Sequence, residues 1–117
     1  MNIKQTDLDG FYGTGQWYKF SFGLLLTDGT HYLCQNGAGW LMDAIAFYQY
    51  KLRHLPRLRD FQLWELTLNK TGSGAVLTCR EDSDQKPVVR QRIAFTDFPF
   101  NIKIYVEGNV ILLPSEH

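Results

Sequence analysis

From Phe61 onward the apolar residues come in short runs, Phe61 to Asn69, Ala75 to Glu81, Val88 to Thr96, Asn101 to Glu107 and Val110 to Leu113, each cut off by turn formers. Thr71-Gly72-Ser73-Gly74, the polar run Asp82 to Pro87, Asp97-Phe98-Pro99 and Gly108-Asn109 are too short to carry a crossover helix. They predict strands lying antiparallel in one sheet. Trp64, Leu66 and Leu68 alternate with Glu65, Thr67 and Asn69, and Ile102, Ile104 and Val106 alternate with Lys103 and Glu107. A period of two gives each strand one dry face and one wet face. The dry face needs a cover.

The cover is expected between Ala38 and Leu55, where apolar residues at 41, 44, 45, 48, 52 and 55 fall on one side of a helix. Lys51, Arg53 and His54 suit a helix C-terminus through the macrodipole, and Pro56 resists continuation, so the helix is expected to end near Leu55. Upstream, Trp17 to Thr27 and Thr30 to Gln35 flank Asp28-Gly29, the local signature of a β-hairpin, and Asn36-Gly37 breaks the second strand. The predicted fold is α+β: a single curved antiparallel sheet with one helix packed across it, in the order β-β-α-β-β-β-β-β. No repeat or linker divides the 117 residues, so one domain over 1–117 is expected, with a polar, mobile leader at about 1–11.

Hydrophobic residues make up 44% and charged residues 21%, an ordinary globular balance. Twelve basic and twelve acidic residues cancel, so no nucleic-acid partner is expected. There is no secretory signal pattern and no membrane-length apolar run, which makes a cytoplasmic location and no membrane partner the expectation. Cys34 and Cys79 sit apart in apolar segments and read as free buried thiols. Without a secretory signal pattern, the glycosylation triplet Asn69-Lys70-Thr71 is expected to be idle.

Signatures of chemistry are weak. Gly13-Thr14-Gly15, Gly37-Ala38-Gly39 and Gly72-Ser73-Gly74 lack the third glycine or the following helix of a nucleotide loop, and they read as turns. His31, His54 and His117 have no metal-ligand spacing, and Asp82 with Asp84 suits a solvated turn better than half a calcium loop. No serine lies in a nucleophile elbow, and Cys34 has only His31 nearby. Enzyme activity is therefore unsupported, and no cofactor is expected. The basic cluster Lys51, Arg53, His54, Arg57 and Arg59 reads as a solvated helix end.

Asp43, within Trp40-Leu41-Met42-Asp43-Ala44-Ile45, is expected to serve as a helix-start carboxylate. The competing reading makes it the polar anchor of a small-ligand pocket walled by Trp40, with Trp17, Tyr18 and Trp64 adding wall. The helix stripe Leu41, Ile45, Tyr48 and Leu52 is expected to bury against Trp64 and Leu66.

Several strings stand in a recognisable order: Gly13-Thr14-Gly15-Gln16-Trp17-Tyr18, Thr27-Asp28-Gly29 with Tyr32-Leu33, and Gly39-Trp40-Leu41-Met42-Asp43-Ala44-Ile45. Phe61-Gln62-Leu63-Trp64, Thr96-Asp97-Phe98-Pro99 and Leu112-Leu113-Pro114-Ser115-Glu116 complete the set. Over nearly its whole length the chain resembles a bacterial, largely cyanobacterial family of unknown function, the one numbered 6876. The resemblance carries no catalytic residues with it. Because some chains of similar size are described as haem-binding, it also makes haem a ligand to test, with His31, His54 and Met42 as axial candidates besides Cys and Tyr. Aromatic residues at 15% and available edge strands favour a non-catalytic protein-interaction module, with a homodimer or another protein as partner. The alternative is a binder of a small apolar ligand, haem included.

Overall fold

A computed structural model describes residues 1–117. Strands β1 (Tyr18–Lys19), β2 (Leu25–Leu26), β3 (Phe61–Leu68), β4 (Ala75–Arg80), β5 (Val89–Ile93), β6 (Ile102–Glu107) and β7 (Val110–Leu112) form one sheet, ordered β1-β2-β7-β6-β3-β4-β5. The α+β class and the curved, mostly antiparallel sheet are as expected. One pair departs from the pattern: β2 runs parallel to β7, with Leu25 opposite Val110 and Leu26 opposite Ile111. This pairing joins the first and last parts of the chain.

Tight turns behave as the residues dictate. Gly108 adopts φ +59° in the turn from β6 to β7, and Gly72 φ +86° between β3 and β4, both in the left-handed region that glycine enters without penalty. The link after β5 does not join neighbours. Residues 94–101 carry the chain from the edge strand β5 past β4 to β6, on the far side of β3. Phe98, 3% exposed, anchors this crossing in the core, which is why a short aromatic link can do what a polar turn cannot.

The hairpin expected across Asp28-Gly29 does not form. Its two strands lie instead within the first apolar run, as β1 and β2, and Asp28–Leu33 is a helix, α1. The Thr27 hydroxyl accepts from the Thr30 N–H at 3.4 Å, and the Thr30 hydroxyl in turn accepts from the Thr27 N–H at 3.0 Å. Thr-Asp-Gly-Thr is thus an N-cap and first turn, the alternative use of residues that also make hairpin turns. A wide turn, Cys34–Ala38 with Gly37 at φ +100°, then leads directly into α2 (Gly39–Leu52). Pro56 opens a further short helix, α3 (Pro56–Asp60), occupying the position where its missing N–H costs nothing.

Helix α2 covers the dry face as predicted. Leu41, Met42, Ile45 and Leu52 are at most 1% exposed and share one core with Trp64, Leu66, Leu77 and Ile104 of the sheet. The Tyr48 and Trp64 rings meet at 5.7 Å. A buried polar lock fixes helix to sheet: the Gln49 and Gln62 amides exchange hydrogen bonds at 2.8 Å, Trp64 Nε1–H donates to Gln62 Oε1 at 2.8 Å, and Gln62 Nε2 donates to the Leu58 carbonyl at 2.8 Å. Gln49 Nε2 also donates to the Ile45 carbonyl, so each amide is satisfied on both sides. At the N-terminus, Ile3 is 3% exposed within the core, and the terminal ammonium lies 3.1 Å from Asp97.

Candidate interaction face

Successive helical residues turn by about 100°, so burying Leu41, Ile45, Gln49 and Leu52 sends Trp40, Asp43, Ala44, Phe47, Tyr50 and Lys51 to the opposite arc of α2. Phe47 is 57% exposed and Tyr50 58%, with their rings edge to face at 5.5 Å. Trp40 and Ala44 are half-buried at the margin of the core, while Asp43 and Lys51 stand in solvent. Neither charge has an ion-pair partner. Beside the helix, Arg53 Nη2 donates to the Phe22 carbonyl at 3.0 Å. Phe22 itself is 58% exposed and sits at φ 61°, a left-handed conformation unusual for an aromatic residue.

The residues nominated for a pocket are dispersed by this geometry. Trp40 and Asp43 lie on the outer arc of α2, whereas Trp64 is 1% exposed on its inner side, within the core. Trp17 is 57% exposed ahead of β1. Asp43 is not in the first turn of α2, which holds no acidic residue, so the helix-start role fails: the preceding turn runs continuously into α2, and the helix begins earlier than a start at Asp43 requires.

Tyr18 belongs to a different cluster. Its hydroxyl donates to Asp28 Oδ1 at 3.1 Å, and its ring stacks on His31 at 3.7 Å with planes 2° apart. The Gly15 N–H donates to Asp28 Oδ2 at 2.7 Å, and the Asp28 N–H donates to Thr14 Oγ1 at 3.0 Å. The Gly15 N–H, with help from Tyr18 and Thr14, holds the Asp28 carboxyl below the usual value, while burial and then Asp28 push the Tyr18 phenol up. The Gly-Thr-Gly and Thr-Asp-Gly strings are therefore two halves of one hydrogen-bonded clasp between the segment before β1 and the start of α1.

Glu116 makes a second clasp at the same helix start. Its carboxylate accepts from the Thr27 hydroxyl at 2.6 Å, the Gly29 N–H at 3.0 Å and the Leu113 N–H at 3.0 Å. The sequence singled out Leu112-Leu113-Pro114-Ser115-Glu116 without assigning this role. The free N–H groups at a helix start and a glutamate near the chain's end are its only sequence signal.

A cleft of about 460 Å³ opens beside the first half of β6, where β7 has already ended; Leu8, Leu66, Phe100 and Leu113 line its apolar side, and Glu65 and Lys103 its polar side. None of the pocket residues expected from the sequence lines it. The haem candidates do not converge: Met42 is fully buried in the core, His54 is exposed past the end of α2, and the His31 ring is covered by Tyr18. Cys34 and Cys79 are free, as predicted. Burial, with the Asp43 carboxylate adding, pushes the Cys34 thiol up to about 11, and burial pushes Cys79 up to about 12.

The clasps and the Gln lock tie together residues of the strings at 13–18, 27–29, 39–45, 61–64 and 112–116. A family model described as Family of unknown function (DUF6876) matches residues 2–117. The chain belongs to this family. Neither a curated protein nor a solved structure matches it. Within the DUF6876 chain no helix is long and apolar enough to cross a membrane.

Proposed function

We propose that this chain is a non-catalytic protein-interaction module whose contact surface is the outer arc of α2. The observation that carries this reading is the exposed Phe47–Tyr50 pair on a rigid helix. Large aromatic side chains lose apolar hydration when covered and little conformational entropy when ordered, so they dominate contact surfaces. The Gln49–Gln62 lock holds the helix in place, so the rings are presented without a folding cost. The non-catalytic part is supported by the thiols, whose raised values leave them protonated and poorly nucleophilic at neutral pH, and by Asp28, whose oxygens are taken up by the clasp.

The test is a photo-crosslinking residue placed at Phe47 and, separately, at Arg90 on the far sheet edge. Protein adducts from position 47 and not from position 90 are expected. Absence of an adduct at position 47 sinks the reading. The cleft of about 460 Å³ favours a second reading, a small amphiphile with its tail against Leu8 and Phe100. A saturable thermal shift with a fatty acid, lost in Leu8→Arg, would favour it.

A further inference from the structure

The outer arc of α2 carries a charge pattern that is complementary to itself. Asp43 lies four residues before Phe47 and Lys51 four residues after it, both exposed and neither engaged within the chain. At a rise of about 1.5 Å per residue they stand about 6 Å to either side of the Phe47 ring along the helix, flanking one line of the surface. Resting on the reading of this arc as a contact surface, we propose that its occupant is a second copy of the chain, with two α2 helices antiparallel about a two-fold axis at the level of Phe47.

Such an axis sends the position four residues before Phe47 onto the level of the position four residues after it. Asp43 of each copy therefore meets Lys51 of the other, twice, while the two Phe47 rings meet at the centre. Tyr50 of each copy falls at the level of Ala44 of the other, on the opposite flank of the seam. Two helices approach to about 8–10 Å between axes, and residues on facing arcs at one level are then within reach of an ion pair. A parallel pair would set Asp43 against Asp43 and Lys51 against Lys51, so the charges select the antiparallel arrangement. Asp43 and Lys51 lie where the covering copy would neutralise both.

Sedimentation velocity over about 1–500 µM tests this on four samples: wild type, Asp43→Lys, Lys51→Asp, and an equimolar mixture of the two variants. Wild type is expected to dimerise. Each variant alone places like charges together and should weaken self-association by tenfold or more, whereas the mixture pairs opposite charges at both sites and should recover the dimer. That recovery cannot come from misfolding of either variant, and far-UV circular dichroism checks that both are folded. A wild type that is monomeric throughout, or a dimer indifferent to both reversals, overturns the proposal. If the chain is monomeric yet position 47 crosslinks to another protein, only the identity of the partner fails. If it is monomeric and position 47 gives no adduct, the contact-face reading fails with it.

Discussion

Removing the Glu116 carboxylate should cost more than its half-exposed position suggests. Its oxygens accept from the Thr27 hydroxyl, the Gly29 N–H and the Leu113 N–H, and all three donor residues are buried. A net hydrogen bond to a charged acceptor contributes about 1.5–3 kcal/mol, and partial access of water to the vacated site keeps the total below a simple sum. Glu116→Ala should therefore destabilise the fold by about 2–4 kcal/mol. Glu116→Gln keeps one oxygen but turns an amide N–H toward the Gly29 N–H, so about 1–2 kcal/mol is expected. Gly29 couples to the same site, because a Cβ there would lie 2.5 Å from Leu113 Cδ1 and 2.6 Å from Glu116 Oε1. Gly29→Ala should destabilise alone, and its cost should fall when Glu116 is already Ala, leaving Leu113 as the remaining obstacle. Urea denaturation of the two single variants and the double variant measures the cycle. Additive effects, or a Glu116→Ala change within about 0.5 kcal/mol of wild type, would refute the clasp.

Ile45→Ala, at a residue with no exposed surface in the centre of the α2 core face, should cost about 2–5 kcal/mol by the same assay. Asp43→Asn should change stability by less than about 0.5 kcal/mol, since Asp43 is exposed and does not cap the helix. The Asp28 carboxyl is held below its ordinary value of 3.8, so its contribution is present above that value and is lost as pH falls through the lower folded value. Asp28→Asn should flatten the acid limb of the stability profile there, and an unchanged limb would count against the Gly15–Tyr18–Asp28 clasp. Iodoacetamide at pH 8 should label the native thiols slowly and the urea-unfolded chain fast, and reductant should leave the melting temperature unchanged.

The strands after Leu55 were legible because alternation and glycine turns are local. Phe61–Leu68 and Ile102–Glu107 fall where period-two patterning put them, within a residue or two at the ends. The helix was legible for the same reason, although its predicted stripe ran to Leu55, which is exposed past the true end at Leu52. Thr30 to Gln35 reads as a strand but begins in helix α1, because Thr-Asp-Gly serves both a hairpin and an N-cap. What decides between them is Glu116, some 87 residues from Gly29. The same non-locality hid the parallel β2–β7 pair and the crossing of residues 94–101. Gln49 and Gln62 are not legible in the sequence, because a glutamine in an apolar stripe looks like an interruption until its partner across the core is known.

The pocket reading makes Asp43 the polar anchor and Trp40 and Trp64 parts of the wall, and the separation of Trp40 and Asp43 from Trp64 follows from the packing of α2. A helix laid on a sheet can bury only one arc. Trp64 needs a partner for its indole N–H, which Gln62 supplies beneath the helix, so Trp64 belongs to the inner side. Asp43 has no buried partner, and an unpaired carboxylate is too costly to bury, so it must face outward. The Asp43 carboxylate on α2 and the Trp64 indole on β3 therefore end on opposite sides of the helix, one exposed beside Phe47 and the other sealed beneath it. What distinguishes the outer arc is that its apolar rings have remained in water although the core had aliphatic residues enough to close. Phe47 and Tyr50 add nothing to the core, and replacing both with polar residues should leave folding stability nearly unchanged while abolishing whatever association the arc supports. A loss of stability as large as that expected for Ile45→Ala would mean instead that the rings are part of the fold.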